Sequence, residues 1–234
     1  MRIGIFLLRT SLVALFLVAA GCEQRPDATT EKAVEERTKQ LNELQEKREN
    51  LRKQLQAMDV KQLAHELEAA SQKGLEPFNS MAFREMVSRG EAAGSELKPL
   101  LTQADHKSLL GLLALRKISP TQYRSLEAAF RVHVLVDALR TSKYFNKWGL
   151  PHLYWEDAAK AIIAEGKAAE PSLIALLKDT REAPMWGSEE VVEYQKYHYR
   201  VCDYAWALLT EIRGQKVEIP VDPAERDKLI AGVS

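Results

Sequence analysis

From Glu31 to Met58 the chain contains neither glycine nor proline. Val34, Leu41, Leu44, Leu51, Leu55 and Met58 fall on the a and d positions of one heptad register within that run. Glu35 with Lys39, Glu43 with Lys47, and Glu49 with Lys53 are favourable i,i+4 pairs on the solvated faces. Only a helix satisfies both patterns, so a long amphipathic helix is expected, spanning roughly 40 Å at 1.5 Å per residue. Arg37 at d and Arg48 at a interrupt the apolar seam. Two placements therefore stay open. The helix could form a coiled coil, giving a homo-oligomer through residues 31–58, or lie along its own downstream domain.

Helix signals recur along the rest of the chain. Asp59 with Gln62 three residues on reads as a capping box opening a helix through Leu63 and Leu67 that stops at Gly74. Asp105 can cap a helix through Leu109, Leu112, Leu113 and Ile118; Ser119-Pro120 with Gln122 opens a longer one; Asp222-Pro223 with Glu225 opens the last. Gly90, Gly149, Gly166 and Gly214 punctuate the gaps. Only Val217 to Val221 has strand character. The expected class is all-α.

The first residues carry a different message. Arg2 and Arg9, an apolar stretch from Leu12 to Ala20, and small residues before Cys22 have the layout of a secretory signal. Arg9 interrupts the apolar run too early for a membrane span, which needs about 20 residues. Ala19-Ala20-Gly21-Cys22 resembles the bacterial lipobox, although leucine is commonest where Ala19 stands. That resemblance implies diacylglycerol on the Cys22 sulfur and three acyl chains on the new N-terminus. Several chains anchor durably where one anchors weakly. Glu23, not being aspartate, fits passage to the periplasmic face of an outer membrane in a two-membrane bacterium, or retention on the cell membrane in a single-membrane one. Residues 22–30, with Pro26 and polar neighbours, read as a flexible tether.

Composition narrows the partners. Lys plus Arg and Asp plus Glu are both 33, and losing Arg2 and Arg9 with the signal leaves 31 against 33. That balance lacks the concentrated basic surface that nucleic acid needs. Once Cys22 is acylated, Cys202 has no intrachain partner and reads as a small buried residue.

A weak internal repeat lies within the body. "RGEAAGSELKPLL" from Arg89 and "EGKAAEPSLIALL" from Glu165 align without gaps, each followed by an apolar helix, with an insertion near Thr180 to Tyr197 in the second copy. "GKAAEPSLIALLKD" followed by "RVCDYAWALLTEIRG" resembles HEAT-like repeats, whose stacked helix pairs share a core. The resemblance implies stacking roles for Asp179 at the turn and Arg200 at the next helix; the first copy offers only Asp105 and lacks the arginine. The expected organisation is a signal peptide (1–21), a tether (22–30), an amphipathic or coiled-coil segment (31–74) and a compact HEAT-like α-α domain (75–234).

All four tryptophans and six of the seven tyrosines lie between Tyr144 and Trp206. Many belong to a core stripe through Tyr194, Tyr197, Val201, Tyr204, Ala205, Leu208 and Ile212. The insertion "TREAPMWGSEEVVEY" reads either as self-packed or as a partner-binding loop, with Trp186 the best anchor and Glu189, Glu190 and Tyr194 beside it. His198 and Cys202 are i,i+4, which could set a thiol beside a base or pair two metal ligands, but nothing supplies further ligands nearby. His133 with Asp137, and His152 with Glu156, read as satisfied hydrogen-bonded pairs. No nucleophile elbow, zincin motif, P-loop, dinucleotide fingerprint or C-x-x-C occurs, and no cofactor or metal is expected. The first functional expectation is a non-enzymatic, lipid-anchored envelope scaffold that binds another protein. The alternatives are an enzyme, a hydrolase or lyase with a site between helices, and a purely structural envelope spacer.

Overall fold

The computed structural model describes residues 28–75, 77–141, 149–183 and 188–233, leaving aside the side chains of 28–31, 78 and 188–191. The signal segment, Cys22, Glu23 and most of the expected tether lie outside the described residues. Those described are helical, with no strand among them and one isolated antiparallel bridge between Glu182 and Arg200. None of their helices is long and apolar enough to cross a membrane. The chain divides into two units, residues 1–50 and 51–234.

Helix α1 (Ala28–Ala57) begins in the first unit, where every side chain from Lys32 to Asn50 is exposed. Its last turns belong to the second unit, and there Leu55 is buried. Asp59 then opens α2 (Val60–Gln72) with a complete capping box: Gln62 N donates to Asp59 Oδ1 at 2.8 Å, and Asp59 N donates to Gln62 Oε1 at 2.9 Å. Val60, Leu63, Leu67 and Ala70 bury one face of α2. Gly74, at φ +71°, turns the chain in the left-handed conformation that ends helices.

Two groups of helices follow in the same order. In the first, α3 (Met81–Ser88) ends at Gly90, α4 (Glu91–Leu97) follows, and α5 (Leu109–Ile118) packs on both. In the second, α8 (Asp157–Glu165) ends at Gly166, α9 (Glu170–Leu176) follows, and α11 (Val201–Ile212) packs on both. Gly90 and Gly166 hold φ of +68° and +57°, where a side chain would be strained. Helix α2 covers the first group, and α7 (Ala128–Thr141) packs on α8 and α9 of the second. Leu109 to Leu115 of α5 and Val201 to Thr210 of α11 are buried without interruption, as expected of helices enclosed on all sides. One continuous apolar core runs through both groups. A smaller cluster of Cys202, Trp206 and Ile230 joins α11 to α12 (Pro223–Ala231).

The fold corrects three expectations. Ser119-Pro120 opens only a short α6 (Pro120–Arg124), and the chain restarts at α7, because Arg131 reaches back to donate to the Leu126 carbonyl in the break. The stripe from Tyr194 to Ile212 is not one helix: α10 (Ser188–Tyr197) stops, His198 takes φ +48°, and α11 begins at Val201. His198 and Cys202 therefore share no helix face. In keeping with the all-α expectation, residues 217–221 form no strand, and the carbonyls of Pro220 and Val221 accept from the Arg226 side chain. His133 is exposed on α7, while Asp137 turns inward to His106.

That last contact has a measurable consequence. Asp137 Oδ2 accepts from the backbone N and lies against the ring Nδ1 of His106, both at 2.9 Å, and Oδ1 takes Arg140. Burial pushes the carboxyl up, but the hydrogen bonds from Arg140 and from His106 outweigh it and hold it at about 2 against an ordinary 3.8. A depressed carboxylate stabilises the fold above its unfolded value and loses that contribution as pH falls through the folded one. The shift corresponds to about 2 kcal/mol, present at pH 7 and lost between about pH 4 and pH 2. Asp137→Asn is expected to unfold in urea with about 2 kcal/mol less stability at pH 7. The gap to the unsubstituted protein should close towards pH 2; a gap independent of pH would contradict the assignment.

Candidate interaction surface

The expected insertion is closed at its neck by backbone. Ala183 N donates to Tyr199 O at 2.8 Å, Val201 N to Arg181 O at 3.0 Å, and Cys202 N to Asp179 O at 2.9 Å. Asp179 and Arg200 stand on either side of this neck with different partners. Arg181 holds the Asp179 carboxylate and also donates to Arg140 O at 3.0 Å. Arg200 pairs with Asp203 at 3.0 Å and with Asp227 at 2.7 Å, while its backbone N donates to Asp203 Oδ2.

Below the neck lies a buried polar knot. Arg226 is wholly buried: Nη1 donates to Pro220 O and Val221 O, and Nη2 donates to Tyr197 O and His198 O. Its Nε lies 3.1 Å from Asp203 Oδ1 but is misaligned for a hydrogen bond, so that contact is an ion pair by charge alone. The guanidinium also sits over the Tyr199 ring, 5.4 Å from its centroid. Tyr199 in turn stacks on Tyr197 and meets Tyr204 edge-on. Burial, then the neighbouring Asp203 carboxylate, pushes the Cys202 thiol up to about 12. That is the reverse of an activated nucleophile.

Above the neck Glu182 and His198 are exposed, and Glu193 and Tyr194 are half-buried. Tyr194 OH donates to Glu182 Oε2 at 2.8 Å, and the Tyr194 ring lies 5.4 Å from that of His198. His198 Nδ1 approaches Glu182 Oε1 at 3.8 Å. His152 does not pair with Glu156; its Nε2 meets Glu193 Oε1 at 2.8 Å and ties the segment after Gly149 to α10. Tyr154, 77% exposed, follows His152 with ring centroids 5.6 Å apart, and Val192 of α10 is 66% exposed. Leu153 and His198 both hold positive φ, at 58° and 48°.

The structure thus leaves Tyr194 half-buried, its ring against the core and its hydroxyl on Glu182. Beside it lies a surface that includes Tyr154, Glu182 and Glu193, which sequence reasoning passed over, and His152, which it paired with Glu156 instead. Trp186 lies outside the described residues, as do the side chains of Glu189 and Glu190. Tyr154 carried a signal, its place in the aromatic-rich segment, but nothing in sequence distinguishes an exposed tyrosine there from a buried one. Elsewhere a groove of about 540 Å³ lies between α3, α5 and the start of α8. Phe83, Leu109 and Leu113 line it beside the Lys117–Asp157 ion pair at 2.8 Å. Among the described residues no group of three or more His, Cys, Asp or Glu is placed to hold a metal ion. No protein-family model matches the chain, and no curated protein or solved structure matches it.

Proposed function

We propose that this protein is a lipid-anchored envelope protein that binds another protein without catalysis, through a HEAT-like helical domain. Anchoring rests on the lipobox-like residues Ala19 to Cys22 and, for the periplasmic face of an outer membrane, on Glu23. The HEAT-like reading is supported by the matching order of α3, α4 and α5 with α8, α9 and α11, each group turned by a glycine at positive φ. An anchored binder meets a partner on the same membrane at an effective concentration set by geometry, on the order of millimolar for a short tether, rather than by bulk dilution.

The observation that carries recognition is Tyr154 and Val192 standing in water on a frame held by the neck and by the His152–Glu193 contact. An aromatic anchor on a pre-ordered frame loses little entropy on binding. Non-glycine residues in the left-handed region cost about 1–3 kcal/mol each and cluster where a surface has a task beyond stability. Leu153 and His198 mark the two segments of this surface in that way.

Two measurements test the reading. Mass spectrometry of the mature chain is expected to find diacylglycerol on Cys22, and an unmodified thiol on a chain that washes freely from envelopes would end the anchoring claim. A photoreactive residue at Tyr154 or Trp186 is expected to capture one envelope protein. Tyr154→Ala should weaken that complex at least tenfold, as an anchor worth about 2 kcal/mol requires. Unchanged affinity would remove this surface from the recognition role.

A further inference from the structure

We propose that α1 is the docking face for an acidic amphipathic helix of a second protein, rather than for another copy of this chain. The residues that carry this lie between Val34 and Arg48. All are exposed, and a helix that buries no side chain is marginal in water, so its stability calls for a partner. Val34, Leu41 and Leu44 define the seam, and the remaining seam positions hold Arg37 at d and Arg48 at a. Neither arginine has an ion-pair partner among the described residues. The flanking e and g positions hold Thr38, Gln40, Gln45 and Lys47, none of them acidic. Every glutamate from Glu35 to Glu49 falls at b, c or f, on the far side of the helix. The apolar stripe is therefore cationic, and the anionic charge faces away from it.

That segregation decides the occupant. A parallel, in-register second copy sets Arg37 against Arg37 and Arg48 against Arg48 at the centre of the interface. An antiparallel copy with Leu41 opposite Leu44 sets Arg37 against Arg48. Both pairings oppose cations where water is excluded and offer no carboxylate at e or g to offset them. A membrane surface suits the charge but not the area: three apolar side chains across four turns fall short of the broad apolar face that holds an interfacial helix. A partner helix with leucine-like residues opposite Leu41 and Leu44 and carboxylates opposite Arg37 and Arg48 satisfies both requirements.

The test places a photoreactive amino acid at Leu41 in the full chain in its native envelope, with Glu46 as the far-side control, and sequences the captured segment. Capture of a heptad-patterned segment with acidic seam residues is expected, at least tenfold more from Leu41 than from Glu46. Arg37→Glu with Arg48→Glu should lower that yield at least tenfold while circular dichroism of the purified chain shows its helix content kept. If helicity falls, the milder Arg37→Gln with Arg48→Gln should still lower the yield several-fold. Capture of the chain's own α1, of lipid, of a neutral or basic segment, or of nothing overturns the proposal, as does a yield indifferent to the charge changes. The experiment uses neither Cys22 nor Tyr154, so its failure and that of the recognition surface on α10 are read separately.

Discussion

Arg226→Ala is expected to lower the stability of the helical domain by about 3–5 kcal/mol, the usual cost of removing one member of a buried charged pair. One guanidinium satisfies four carbonyls, those of Pro220, Val221, Tyr197 and His198, and faces the buried Asp203 carboxylate. Truncation removes the donor from these part-buried carbonyls, where water can replace some of the bonds, and leaves the buried Asp203 carboxylate with one arginine fewer, so most of the loss falls on the charged pair. Arg200 still pairs with Asp203, which keeps the loss from being larger. Arg226→Lys should recover little, because a single ammonium cannot reach carbonyls on both sides of the fork. Urea unfolding measures the loss, and thermal unfolding should fall by about 10 °C for a chain of this size. A decrease below about 1 kcal/mol would show that water or side-chain rearrangement replaces the arginine.

Arg226 also shows why part of the fold was legible in sequence and part was not. The Asp59–Gln62 capping box and the glycines at 74, 90, 149, 166 and 214, all at positive φ, are local devices, and residues a few positions apart reveal them. The arginine's partners lie as far as 29 residues away, on the far side of the whole of α11, and no spacing rule reaches that distance. A hint was present: a cation in the first turns of a helix opposes the helix dipole and is expected only where something else holds it. The break at His198 was hidden for a different reason. Apolar period runs unbroken from Tyr194 to Ile212, so pattern alone continues the helix through it. The neck overrides the pattern, since pairing Ala183 with Tyr199 and Val201 with Arg181 requires the backbone to leave the helix there. For the same reason the surface around Tyr154 could not be read in advance. It depends on His152 meeting Glu193, 41 residues on.

Glu165→Ala should have an effect of the same order, about 3–5 kcal/mol by the same cost of a broken buried pair. Arg131 donates to Glu165 through Nε and Nη2, both at 2.8 Å, and Tyr123 OH donates to Oε1 at 2.6 Å. Burial raises the carboxyl, yet the hydrogen bonds from Arg131 and Tyr123 prevail and hold it below the usual range. Tyr123→Phe should cost less, about 1.5–3 kcal/mol for one hydrogen bond to a charged group. The double substitution should fall short of the sum, since the two groups share one carboxylate. Additive losses in urea would show that the three side chains do not act as a unit. Glu165 stands immediately before Gly166, and in the aligned first copy Arg89 stands immediately before Gly90. Arg89 holds the end of α1, two helices back, donating to Leu55 O and Gln56 O at 3.2 Å, among its last carbonyls, where a cation is favoured. The two copies thus keep the same latch position with opposite charge. A helix end exposing carbonyls takes the arginine, and a helix start carrying Arg131 takes the glutamate. Exchanging them, Arg89→Glu or Glu165→Arg, should destabilise the fold more than either alanine variant, because each new charge would face its like or a carbonyl.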